Sequence, residues 1–320
     1  MAYQNIGIPR FYVNDVMWML KMNAGSVSGD TEVAWLGSGS IFNLNPTVQY
    51  RHFGAINTEY CLTAPLSNGY NYVAWLGHDF DSVGWRCHPK INNQTHSADS
   101  GINYNQNAIP SHNGFTFQFF GVNTYPEINL CVTTGGYLPS GGAKCASISA
   151  GKYYDMPHSP DLKLTMTREM DGVKRIRTKG GTDLVKQQYT GNPAWGDAGA
   201  WELYEGTPEH QSLSRSGRRV WDLSFSYLQD SDLFPEISNL EEHGTDYDSS
   251  SSIGKTLLDD NSFYSQVIHK TNGGQLPFIF QPDKNDNTNF AICKFDQKSF
   301  QFKQVANGVY NVKLEIREVC

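Results

Sequence analysis

Arg218-Arg219-Val220-Trp221-Asp222-Leu223-Ser224-Phe225-Ser226-Tyr227-Leu228 is the stretch that decides the fold class. Trp221, Leu223, Phe225 and Tyr227 fall on one side of an extended chain, and Asp222, Ser224 and Ser226 on the other. Successive side chains of a strand point to opposite faces, so this alternation predicts a half-buried antiparallel strand. The same period of two recurs on either side of it. Tyr310, Val312, Leu314 and Ile316 alternate with Asn311, Lys313, Glu315 and Arg317, and Leu162, Leu164 and Met166 with Lys163, Thr165 and Thr167. Phe115, Phe117 and Phe119 give a fourth strand, and Phe300 with Phe302 a fifth. The expectation is an all-β protein.

Composition agrees, and it excludes several functions. Aromatic residues make up 13% of the 320 residues and charged residues only 18%, a mixture that suits pleated, half-buried surfaces joined by polar turns. With 25 basic against 32 acidic residues the net charge is -7, which argues against a broad nucleic-acid or anionic-membrane surface. The short run Lys174-Arg175-Ile176-Arg177 reads as a solvated strand face. No apolar run approaches the roughly 18 residues of a membrane span. Residues 1–9 lack the basic and apolar regions of a secretory signal. The six cysteines (Cys61, Cys87, Cys131, Cys145, Cys293, Cys320) show no Cys-x-x-Cys spacing, so free thiols are expected, and the sequon at Asn93 carries no weight.

Helices are few. The best candidate covers residues 261–270, with Asp260 or Asn261 as N-cap, Phe263 four residues before Val267, and Gly273-Gly274 as the stop. Residues 12–22 could be a helix or begin as a strand. Residues 241–254, with four consecutive serines, read as a loop, and residues 133–142 as a turn-rich surface segment. Length favours two domains, and the pattern changes near residue 150 from Asn-rich aromatic segments to charged strands.

Catalytic and metal motifs are missing from the sequence. There is no His-Glu-x-x-His, no Gly-x-Ser-x-Gly and no phosphate-binding loop. His78 beside Asp79 could be a base, but a polar residue closing a buried strand is the simpler reading. Asp79 with Asp81, and Glu169 with Asp171, are carboxylate pairs close in sequence, which does not set the separation that glycoside hydrolysis requires. Asp171-Gly172 reads as a tight turn. Asp283, Asn285, Asn287 and Asn289 alternate as in a calcium loop, yet Thr288 and Lys294 stand where its glycine and closing acid belong, so a hairpin loop is expected. Tyr70, Tyr72, Trp75, Trp85 and Tyr104 form a pool from which a sugar-stacking platform could be drawn. No catalytic residue, cofactor or metal site is assigned.

Two resemblances follow from particular segments. Arg218 to Phe225 resembles a strand of bacteriophage tail proteins of the distal-tail and minor-tail type. The short helix near Phe263 to His269 and the strand in Gly273-Gly274-Gln275-Leu276-Pro277-Phe278-Ile279-Phe280 follow in that family's order. So do the segments 290–295 and 303–318, and Ile8-Pro9-Arg10-Phe11-Tyr12 resembles the opening of such virion proteins. Asn71-Tyr72-Val73-Ala74-Trp75-Leu76-Gly77-His78, with Phe115 to Phe120 and residues 148–153, resembles a galactose-binding-like jelly roll. The resemblance implies a split β-barrel with a short helix (residues 1–44 and 153–320) and an inserted β-sandwich (residues 45–152). It also implies a non-enzymatic structural virion protein, assembled in the bacterial cytoplasm. Such a protein forms a ring, typically a hexamer, between the tail tube and the hub, fibres or other host-recognition proteins. The insert in that family can hold host glycans, but no calcium or sugar-contact motif is present here. A carbohydrate-binding or carbohydrate-active protein, and a head or neck decoration protein, are the alternatives.

Overall fold

In the computed structural model, the alternation at Trp221 becomes the longest strand of an eight-stranded sheet. The structure describes residues 7–29, 39–52, 54–67, 69–91, 110–137, 140–162, 165–170, 173–186, 194–195, 198–206, 217–235, 257 and 260–319. The chain begins with β1 (Arg10–Val13), α1 (Asp15–Lys21), β2 (Ser28–Gly29), a 3-10 turn (Gly39–Phe42), β3 (Tyr50–His52) and β4 (Glu59–Pro65). It continues through β5 (Tyr70–His78), α2 (Phe80–Val83), β6 (Arg86–Ile91), β7 (Gly114–Asn123), β8 (Glu127–Thr133), β9 (Ala143–Cys145) and β10 (Ser147–Gly151). Next come β11 (Tyr153–Asp155), β12 (Thr165–Glu169), β13 (Lys174–Arg177), β14 (Asp183–Lys186), β15 (Arg218–Gln229) and α3 (Asp230–Leu233). A π-helical turn (Tyr264–His269) precedes β16 (Phe278–Gln281), β17 (Ala291–Phe295), β18 (Phe302–Ala306) and β19 (Val309–Glu318). The protein is all-β, with every strand pairing antiparallel.

The large sheet has the order β11-β1-β16-β17-β19-β15-β12, with β18 also on β19. It is open: no closed barrel is formed among the described residues. Trp221 faces Ile316, Leu223 faces Leu314 and Phe225 faces Val312 across β15 and β19, and all six are buried. Arg219 locks the other end of this pair. Its guanidinium meets the Glu318 carboxylate with two bonds of 2.9 and 3.0 Å and also donates to Asn289 Oδ1, tying both strands to the β16–β17 loop. This paired, bidentate geometry is among the stronger hydrogen-bonding arrangements available to a side chain.

Tyr227 departs from the sequence expectation. A bulge between Phe225 and Leu228 shifts the register, Tyr227 takes φ +62°, and it points outward at 75% exposure while Leu228 turns into the core. One extra residue in a strand inverts the facing of everything beyond it. The strand expected over Leu162 to Met166 begins only at Thr165, and Leu162 is fully exposed. Residues 163–164 lie outside the described residues, as do the serine-rich loop and the sequon. Residues 12–22 divide at Asn14, whose side chain accepts from the Met17 amide and so separates β1 from α1. The helix expected at 261–270 is a π-helical turn with Phe263 and Val267 buried, and Gly273 and Gly274 end it at positive φ.

Two further sheets, β2-β4-β8-β6 and β10-β5-β7, pack face to face. Tyr60, Leu62 and Ala64 of β4, with Leu130 and Val132 of β8, meet Val73, Trp75, Ile148 and Ala150 of the second sheet. Val16, Met17, Ile41 and Phe42 join this same core, so the elements between residues 15 and 44 pack with the sandwich. The outer side of β10-β5-β7 is covered in turn. Tyr72, Ala74 and Leu76 pack against Tyr12, Ile279, Phe290 and Ile292 of the large sheet. The three sheets therefore form successive layers, and β5, in the middle layer, is buried at all nine positions. Gly151 sits where two layers nearly touch, since a Cβ there would lie 2.4 Å from the Val13 carbonyl oxygen.

Candidate functional site

Among the described residues, the outward face of β4, β8 and β6 holds a cluster of side chains able to ligate a metal ion. Alternation explains how it arises: Tyr60, Leu62, Ala64, Ile128, Leu130, Val132 and Cys87 point into the sandwich, so Glu59, Cys61, Cys131, His88 and Lys90 point away from it. The register then aligns a row across three strands, with Cys61 opposite Cys131 and Cys131 opposite His88. Cys61 and Cys131 form a disulfide, with Cα atoms 4.1 Å apart. This corrects the expectation of free thiols for these two residues, because the pairing of strands 70 residues apart brings them together. Cys87 and Cys145 are buried free thiols, and Cys293 is buried as well.

Glu59 is the hub of the face. Its Oε1 lies 2.8 Å from His88 Nε2, and its Oε2 accepts from Lys90 Nζ. Burial pushes the Glu59 carboxyl up, but the Lys90 hydrogen bond and charge, together with His88, outweigh it and hold the group below the usual carboxylate range. His88 and Lys90 are buried, whereas the Glu59 side chain keeps 35% of its surface exposed, so the cluster has an opening. One ligand atom from each of Glu59, His88 and Cys131 can be chosen so that all lie within 4.8 Å of one another. Thr63 donates to Asn129 at 2.6 Å and closes the row beyond. The arrangement can do two kinds of chemistry, thiol–disulfide exchange and cation coordination.

The residues weighed from sequence fall elsewhere. His78 closes β5 as a buried residue, bonded to Thr116 Oγ1 at 2.9 Å and stacked on Phe80, and burial lowers its pKa to about 3. It is a neutral structural residue at ordinary pH. Asp79 accepts from the Lys144 amide at 2.7 Å, and Asp81 lies one residue into α2. Glu169 pairs with Arg317 at 2.6 Å, while Asp171 is outside the described residues. Asp283 and Asp286 accept from backbone amides in the β16–β17 hairpin loop, and Asn289 from Arg219. Tyr70, Tyr72, Trp75 and Trp85 are all fully buried and cannot form a stacking platform, and Tyr104 lies outside the described residues. Phe119 is the half-exposed end of a different aromatic group, stacked on Phe117, which stacks in turn on Phe290.

One other surface stands out. Both strands of the β13–β14 hairpin are exposed at every position and carry Lys174, Arg175, Arg177 and Lys186 beside exposed Ile176, Leu184 and Val185. Its basic run is the solvated strand face that the sequence suggested. No helix among the described residues is long and apolar enough to cross a membrane. Comparison with protein-family models, curated proteins and solved structures gave no match.

Proposed function

We propose that this chain is a structural protein of a tailed-phage virion, a distal-tail ring component joining the tail tube to host-recognition proteins. One observation carries the reading. Five of the six segments that resemble that family fall in consecutive strands of one sheet, β1, β16, β17, β19 and β15, and the sixth is the helical turn. They are scattered from residue 8 to residue 318, so apart from the β16–β17 hairpin their adjacency is a property of the fold and not of the sequence order. In this reading the sheet is the core of a split barrel, with the buried π-helical turn packed on it through Phe263 and Val267. The sandwich is a module inserted between β1 and β11, which are themselves hydrogen-bonded neighbours.

The work of such a protein is mechanical. It forms subunit contacts that close a ring, and a closed ring protects strand edges such as those of β11 and β12. The exposed β13–β14 hairpin is a candidate arm for contacts between copies. Native mass spectrometry of the full chain and cryo-EM of particles containing it test the reading. A cyclic oligomer at the tail tip, with six copies, is the expected result. A monomer both in solution and on the particle would overturn it.

A further inference from the structure

We propose that Cys61, Cys131, His88 and Glu59 form a redox-gated zinc site, closed as a disulfide when oxidised and able to bind Zn2+ when reduced. Four observations on the outer face of β4, β8 and β6 converge on it. Both cysteines and His88 lie in one cross-strand row. Glu59 reaches over that row and touches His88. The ligand atoms of Glu59, His88 and Cys131 already lie within 4.8 Å of one another, and Cys61 is the direct partner of Cys131. In a tetrahedral zinc site, with bonds of about 2.0–2.3 Å, neighbouring ligand atoms are roughly 3.3–3.8 Å apart. Reaching that spacing requires the Cys61–Cys131 bond to open and the side chains to rotate, on strands whose Cα atoms are already 4.1 Å apart at the two cysteines.

Charge supports zinc over a harder cation. Two thiolates and an imidazole are ligands that Zn2+ favours, whereas Ca2+ and Mg2+ select oxygen sets. Zn2+ with two thiolates, one carboxylate and a neutral histidine carries a net charge of about -1. Lys90, buried and bonded to Glu59 Oε2, supplies the compensating positive charge, and the metal would displace the hydrogen bond between Glu59 Oε1 and His88 Nε2 to take Oε1. A ligand carboxylate held by its own hydrogen-bond partner is the usual arrangement around such ions.

The exchange balances. A thiolate of an external dithiol attacks one sulfur of the Cys61–Cys131 bond, and its second thiol resolves the mixed disulfide. Two electrons and two protons pass to the cysteine pair while the dithiol becomes a cyclic disulfide. Zn2+ binding then releases the two thiol protons to solvent. The oxidised pair has no thiolate to offer, so one pair of atoms serves either state and never both.

The test uses the full chain, stripped of metal, in a phosphine-reduced and a diamide-oxidised form, titrated with Co2+ and then Zn2+. The reduced form is expected to bind one Co2+ with the thiolate charge-transfer and visible bands of a tetrahedral site, and to lose them to Zn2+. The oxidised form is expected to show neither. A reduced chain without these bands, or equal binding by both forms, overturns the proposal, and this comparison needs no variant. Cys131→Ser and His88→Gln should each weaken binding more than Lys90→Met, for which about ten-fold is expected. Cys87→Ala should leave the spectrum unchanged, and its loss in that variant instead would refute the assignment.

Discussion

Lys270 Nζ lies 3.2 Å from Asp15 Oδ1, with both side chains 2% exposed. Asp15 opens α1, and Lys270 follows the π-helical turn, so the pair joins parts of the chain far apart in sequence. Ser67, between β4 and β5, completes the group. Its hydroxyl receives from Lys270 at 2.7 Å and its amide donates to Asp15 Oδ2 at 2.7 Å. Removing one partner of a buried ion pair strands the other charge, so Lys270→Met should destabilise the protein by about 3–5 kcal/mol. Asp15→Asn added to Lys270→Met keeps an acceptor for the Ser67 amide and should recover part of that loss. Denaturant melts of the three variants check this, and a double mutant no better than the single would show that stranded charge is not the cause.

Trp221 and Tyr227 were expected on one face and lie on opposite ones. Trp221→Ala should cost about 3–5 kcal/mol, the usual range for truncating a large buried aromatic. Tyr227→Ala should change stability by no more than about 0.5 kcal/mol, as for an ordinary surface position. Thermal melts of the two variants side by side decide the facing, and equal losses would place Tyr227 in the core.

His52 and His78 set an acid limit. Burial lowers their pKa values to about 4 and about 3, from an ordinary 6.5. Above that ordinary value both are neutral folded or unfolded and do not affect stability. As pH falls below it, the unfolded chain takes up protons that the folded one refuses, and stability drops until the folded values are reached. Each histidine contributes a loss of about 1.4 kcal/mol per pH unit in that window. His52 packs between Tyr60 and Trp85, so His52→Phe should retain the packing and flatten the slope by about one proton. Melting across pH 6 to 4 measures it, and an unchanged slope would exclude His52.

The sandwich borrows elements from before residue 45. Val16, Met17, Ile41 and Phe42 are in its core, and β2 pairs with β4. A fragment spanning residues 14–152 should therefore melt at a higher temperature than one spanning 45–152. Circular dichroism of both fragments tests this, and equal melting would mean that these four residues add nothing to the sandwich.

How much of this was legible in sequence depends on distance along the chain. The alternation at Trp221, Leu223 and Phe225 gave both the strand and its inner face, because period and burial are local. Tyr227 was misplaced because a bulge leaves no mark on alternation. Tyr70, Tyr72 and Trp75 were legible as strand residues but not as core, since β5 is covered on both sides by sheets from elsewhere in the chain. The Cys61–Cys131–His88 row was missed for the same reason. Each member occupies an outward position, which alternation with Tyr60, Leu62, Leu130 and Val132 could have revealed, but only strand pairing aligns them.

The route of the chain into and out of the sandwich sets how the molecule bears load. It leaves the large sheet at Val13 and returns at Tyr153, and the strands flanking this excursion are paired, with Tyr12 opposite Tyr153. Tension applied between β1 and β19 is carried sideways through β16 and β17, by bonds inside one sheet. The sandwich lies off that path. It is held like a closed loop of rope above its knot, and it experiences strain only after β1 has peeled from both of its neighbours.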